Sequence, residues 1–161
     1  MDAIFESENI IYAKPSLDYV PEYLEMVNDI ENVARFIGDR KEKLTEKDEI
    51  AYIKDKLDNN AAMFSMFEKK TNEFIGNIEF FNRTFDAAEW GIAITTKMQN
   101  KGYGKEALKR SVEYGFNVLG LTRIFLSVYV KNPRAVHVYE QCGFTEFKRD
   151  DVDIFMEIVK E

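Results

Sequence analysis

Cysteine and histidine are nearly absent from this chain of 161 residues, which holds one of each, Cys142 and His137, together with three prolines and one tryptophan. A lone cysteine cannot close an internal disulfide, and one cysteine with one histidine falls short of a dedicated Cys/His metal site. No apolar run approaches the ~18 residues of a membrane span. The N-terminus has acidic residues early, Asp2 and Glu6, and lacks an apolar core of signal-peptide length, so the expectation is a cytoplasmic protein. Basic side chains are in deficit as well, 22 against 29 acidic, for a net charge of -7. That balance argues against nucleic acid and anionic membranes, which are held through neutralised phosphates, and mildly favours a cationic partner.

With 45% hydrophobic and 32% charged residues, the chain has the composition of an ordinary globular protein. Its length suffices to bury roughly two thirds of the unfolded surface, so one domain over residues 1–161 is expected. No repeat, linker or low-complexity segment interrupts it.

The most informative stretch is Gln99-Asn100-Lys101-Gly102-Tyr103-Gly104, between the apolar run Ile92-Ala93-Ile94 and a helical pattern that begins at Lys105. Two glycines two apart let the backbone turn tightly and aim successive N–H groups into one hollow, where the positive end of the following helix adds to them. Such a hollow suits a pyrophosphate; a glycine-rich turn without a ligand fits the spacing too. Neither the dinucleotide fingerprint nor the P-loop matches it.

Elsewhere Ile10–Lys14 reads as a strand, and Asp18 to Asn28 as a helix with Asp18 at its N-cap and Val20, Leu24 and Val27 on one face. Arg35 to Lys43 has no period and reads as a loop. Thr45-Glu46-Lys47-Asp48 resembles a capping box, followed by Ile50, Ile53 and Leu57 at helical spacing. Residues 61–68 and 74–82 form a hairpin pattern dense in Phe and Met, and Glu89 to Thr95 a strand in which Gly91 marks a bulge or a close approach. Lys105 to Leu119 aligns Leu108, Val112, Phe116 and Leu119 on a helix face. Arg123–Val130 is a strand, Asn132-Pro133 opens a helix that Gly143 stops, and residues 144–147 and 152–159 form a closing hairpin. Strand, helix and strand in that order imply a right-handed crossover with the two strands parallel.

Two stretches carry a family resemblance. Gln99 to Gly104 resembles the Arg/Gln-x-x-Gly-x-Gly/Ala pyrophosphate loop of the GNAT superfamily of N-acetyltransferases. Asn132-Pro133-Arg134-Ala135-Val136-His137-Val138-Tyr139-Glu140-Gln141-Cys142-Gly143-Phe144 resembles its Asn-x-x-Ala/Ser-x-x-x-Tyr-x-x-x-Gly-Phe segment. The likeness runs from about Phe74 to Phe144, and Ala88–Ile94 with Ala135–Tyr139 is most similar to the branch holding ribosomal-protein N-terminal and spermidine acetyltransferases. It implies an α/β (α+β) fold, a mixed, mostly antiparallel central sheet with a parallel pair at the cofactor site and four flanking helices. It also implies acetyl-CoA as co-substrate, no metal, a primary amine as acceptor (a protein N-terminus or a polyamine-like small amine), direct attack in a ternary complex, and a homodimer. A CoA-binding regulatory module without turnover is the alternative.

Site residues follow from matching positions. The backbone of Gln99, Asn100, Lys101, Gly102, Tyr103 and Gly104, with the helix start at Lys105, holds the pyrophosphate in the resemblance, while the main chain of Ile92, Ala93 and Ile94 pairs with the pantetheine arm; the side chains of Ile92 and Ile94 read as core. Tyr139, protonated at neutral pH because a phenol titrates near 10, is the expected acid for the departing thiolate. Asn132 is a contact to the cofactor arm or simply an N-cap, and Arg134 a phosphate partner or a solvated side chain. Glu89 is the candidate base, a structural role fitting equally. His137, two residues from Tyr139, points elsewhere, as packing or surface. Asp29, Glu31 and Asp39 would suit a cationic acceptor.

Overall fold

In the computed structural model, which describes residues 1–161, strands β1 (Ala3–Glu6) and β2 (Ile10–Ala13) precede helices α1 (Val20–Val27) and α2 (Glu46–Asp58). Strands β3 (Ala62–Glu68), β4 (Phe74–Phe81) and β5 (Ala87–Ile94) lead to α3 (Tyr103–Asn117); then come β6 (Arg123–Tyr129), α4 (Pro133–Gln141), β7 (Thr145–Arg149) and β8 (Asp153–Val159). The sheet order is β1-β2-β3-β4-β5-β6-β8-β7. The β5–β6 pair is parallel, as the crossover rule requires, while β6–β8 and β7–β8 are antiparallel.

Strand β1 was not expected. Ala3–Glu6 is four residues long, largely exposed and at the sheet's edge, so it carries no alternation for a sequence pattern to show; its pairing with β2 defines it. The first helix begins later than its pattern, after a 3-10 turn at Leu17–Tyr19 that Ser16, not Asp18, caps by accepting from the Asp18 amide. Pro21 sits in the first turn of α1, where a missing N–H costs nothing. Thr45 and Asp48 complete the expected capping box on α2, each side chain bonding the other's backbone N–H.

The chain divides into two compact units, Met1–Glu79 with Ile92–Gly104 and Phe80–Gly91 with Lys105–Glu161, and β4, β5 and α3 each run through both. The first unit's core joins Tyr23 and Met26 of α1, Ile53 of α2, Met63 and Phe67 of β3, and Phe74 of β4. Phe67 and Phe74 meet edge to face at 5.8 Å, and Tyr23 packs on Phe74 at 5.4 Å. A buried polar chain threads this core: the Ser16 amide donates to Tyr23 Oη, which bonds Ser65 Oγ at 2.6 Å, and Ser65 Oγ donates to Asn77 Oδ1. Burying those groups is tolerable because each is partnered.

In the second unit α3 turns a different stripe inward from the expected one. Ala107, Leu108, Ser111, Tyr114 and Gly115 are buried, whereas Val112 and Phe116 are half-buried. Small residues won the inner face because the helix packs closely, with Ile124 and Phe80 against Gly115.

Candidate active site

The glycine stretch adopts the conformation its residues suggested. Asn100 and Gly102 both have positive φ, 62° and 87°, and α3 starts at Tyr103, two residues before the expected position. Left-handed residues in close succession in a turn leading into a helix turn backbone N–H groups towards one side and leave the helix's first amides without intrahelical partners. A Cβ at Gly102 would meet nothing within 4 Å, so glycine is required there by φ and not by space. Lys101 is exposed and forms no ion pair; Lys105 reaches Gln141 at 3.5 Å.

Two side chains of this stretch turn out to be structural. Gln99 donates from Nε2 to the carbonyls of Ile94 (2.9 Å) and Asn32 (3.1 Å), pinning the end of β5 to the segment after α1. The Tyr103 hydroxyl donates to Glu68. Thr96 adds to the pin by donating from Oγ1 to Asp29, whose carboxylate also accepts from Asn32, and these bonds, Thr96 first, lower its pKa.

Strand β5 enters this loop. Its parallel ladder with β6 runs from Ala87↔Arg123 to Glu89↔Phe125 and stops there, while β5 continues to Ile94. Gly76 of β4 lies against it so closely that a Cβ would sit 2.0 Å from the Ala93 carbonyl oxygen. The backbone contact expected near Gly91 is thus made at Gly76; a Cβ at Gly91 would press on the Phe81 ring at 3.1 Å. The expectation that Ile92 and Ile94 are core is corrected: both are half-buried, whereas Ala93, on the opposite face of the strand, packs on the first unit's core.

Tyr139 lies on α4, its ring 6.3 Å from that of Trp90 and nearly perpendicular to it, and 6.0 Å from Phe144. The residue is half-buried, and desolvation, with a smaller contribution from Cys142, pushes its pKa up to about 12. Asn132 caps α4 by accepting from the Ala135 amide at 3.4 Å. Arg134 is exposed and forms no ion pair, and His137 is exposed.

Glu89 is separated from Tyr139 by the pleat of the strand. Trp90 meets Tyr139, so its neighbour Glu89 projects from the other face, where it accepts from Asn82 Nδ2 at 3.1 Å. The acids near the α1–α2 connection are engaged locally: Asp29 as above, Glu31 with Arg35 at 3.3 Å, and Asp39 with Lys41 at 2.8 Å.

Sequence reasoning missed two residues. Glu49 of α2 is 3% exposed, and desolvation, opposed by Arg40, raises its pKa. Trp90 is equally enclosed, at 3% exposure, with its indole N–H unpartnered. The apolar spacing of Ile50, Ile53 and Leu57 hid Glu49, and nothing in the strand pattern of Glu89 to Thr95 set Trp90 apart.

A strand that outruns its parallel partner thus runs into a turn of left-handed residues from which a helix leaves, the arrangement of an α/β fold with its candidate site at the strand's carboxyl end. The chain belongs to the GNAT acetyltransferase family, whose domain model matches residues 9–145. It is 37% identical over 92 residues to a spermidine N(1)-acetyltransferase of Vibrio cholerae, a match spanning 56% of this chain and 53% of that one. Its fold is shared with a GNAT-family acetyltransferase from Bacillus anthracis (TM-score 0.84, 21% identity, 96% of each chain). A Vibrio cholerae spermidine N-acetyltransferase crystallised with CoA and spermine gives a TM-score of 0.81 at 22% identity, covering 96% of this chain and 97% of that one.

Proposed function

We propose that this chain is an acetyl-CoA-dependent N-acetyltransferase acting on a primary amine by direct attack in a ternary complex. The observation that carries the reading is the cradle at Asn100–Gly102 opening into α3, which offers oriented amides to a pyrophosphate at little reorganisation cost. The residues fit the co-substrate. Unpaired Lys101 and Arg134 suit its phosphates, and β5 beyond Glu89 offers backbone groups not engaged by β6 to an extended amide-bearing arm. Acetyl-CoA supplies an activated acyl group.

The amine nitrogen attacks the thioester carbon, the C–S bond breaks, and the sulfur leaves with the bond pair. Tyr139 serves that sulfur. Its proton is held to about 12, while an ordinary thiol titrates near 8.5, so complete transfer to the thiolate would be uphill by roughly 5 kcal/mol. Tyr139 therefore acts as a neutral hydrogen-bond donor that stabilises the developing charge, and solvent completes the protonation. Glu89, on the other face of β5, takes the amine's proton through water, unless the amine arrives already neutral.

The acceptor is a small polyamine-like amine or a protein N-terminus. The net charge of -7 and the spermidine-acetylating relative support the polyamine. We place the protein in the cytoplasm as a homodimer, which light scattering at working concentration tests. The deciding experiment is release of free CoA thiol from acetyl-CoA against polyamines, amino acids, aminoglycosides and short peptides. Turnover on one class establishes the activity and its acceptor. Acetyl-CoA binding without turnover on any of them favours a regulatory module instead.

A further inference from the structure

Trp90 is the only tryptophan of the chain, it is 3% exposed, and its Nε1 is the one buried side-chain nitrogen or oxygen without a hydrogen-bond partner. Every other buried polar side chain here is satisfied or reaches solvent, including the Tyr23–Ser65–Asn77 chain. An orphaned buried donor costs about 1–3 kcal/mol, and phenylalanine would fill a strand position facing an aromatic ring without that cost. The indole is also placed where the chemistry is read: its ring meets Tyr139 edge to face, and it comes two residues before Ile92–Ile94, where the β5 main chain has left its ladder with β6.

We infer that the Trp90 indole N–H is a ligand-facing donor that bonds a carbonyl oxygen on the acyl-pantetheine arm of the bound acyl-CoA. The inference rests on the acetyl-transfer reading above. The thioester oxygen is one bond from the carbon that carries the sulfur, and Trp90 is the residue whose ring packs on that of Tyr139, the proposed partner of that sulfur. The pantetheine amide carbonyls present the same chemistry farther along the arm.

The test uses the intact protein uniformly labelled with 15N, whose single tryptophan gives a single indole cross-peak beside the backbone amides. On adding acetyl-CoA, the indole proton moves downfield, as a hydrogen bond requires. A shift with acetyl-CoA that free CoA does not produce assigns the donor to the thioester oxygen; the same shift with both assigns it to an amide carbonyl of the arm. An unmoved peak while backbone amides at Asn100–Gly102 shift overturns the inference and leaves the N–H to a resident water. If those amides do not shift either, it is the CoA-binding reading that fails.

Trp90→Phe supplies the second readout, since it keeps the ring on Tyr139 and removes the donor. Acetyl-CoA affinity should fall about tenfold, the factor one neutral hydrogen bond carries, with the melting temperature unchanged or higher. A merely structural role lowers stability and leaves affinity intact, which would also overturn the proposal.

Discussion

Tyr139 is the residue at which burial and chemistry meet most directly. Its folded pKa of about 12 lies above the ordinary 10, so the folded state keeps a proton that the unfolded chain releases first. The contribution to stability is therefore complete below pH 10 and is lost as pH rises from 10 towards 12, by roughly 2–3 kcal/mol at the top of that window. Urea denaturation at pH 9 and pH 11.5 checks this: wild type should lose about 2 kcal/mol more stability between the two than Tyr139→Phe. The same variant should retain acetyl-CoA binding and lose roughly 10²-fold or more in kcat, which thiol release measures; undiminished turnover would remove the phenol from the mechanism. At Gly102 the surroundings are open and only φ matters, so Gly102→Ala should cost about 1–2 kcal/mol and raise the KM for acetyl-CoA more than it lowers kcat.

Among the elements, β5 and the loop it feeds are held by neighbours far away in sequence. The loop is pinned by Gln99 to the carbonyls of Ile94 and Asn32, and by Thr96 to Asp29. Thr96→Val keeps the shape and removes the donor, and hydrogen exchange should then quicken at Asn32–Ala34 and at Met98–Gly102 together; quickening at one segment alone would show that the pin does not couple them. Strand β4 supports β5 through the contact at Gly76. A Cβ there cannot coexist with the Ala93 carbonyl at 2.0 Å, so Gly76→Ala should destabilise by about 3 kcal/mol or more, measured by chemical denaturation. At the element level the sequence was most readable where local chemistry decides conformation, as in the Thr45–Asp48 box, the Asn132 cap and the turn at Gly102. It was least readable at β1, a four-residue edge strand whose only signal is its partner.

For the whole molecule, β4, β5 and α3 each belong to both compact units, so neither unit possesses a complete set of its own elements. We expect residues 1–161 to unfold as one domain, in a single calorimetric transition with coincident near- and far-UV signals. Two separated transitions would contradict it. The sequence by itself determined the order of most elements, the parallel strand pair and the family, because hydrophobic period, capping residues and glycines act over a few neighbours and two motifs stood at the right spacing. Tertiary structure alone decided which face of each element is buried and what each polar group meets. It turned Ser111 and Gly115 inward in place of Val112 and Phe116, enclosed Glu49, half-exposed Ile92 and Ile94, engaged Gln99 and Tyr103 as braces, and left the Trp90 N–H without a partner. The reason is physical: burial and hydrogen bonding are settled by groups tens of residues apart arriving at one place, which a period along the chain does not record.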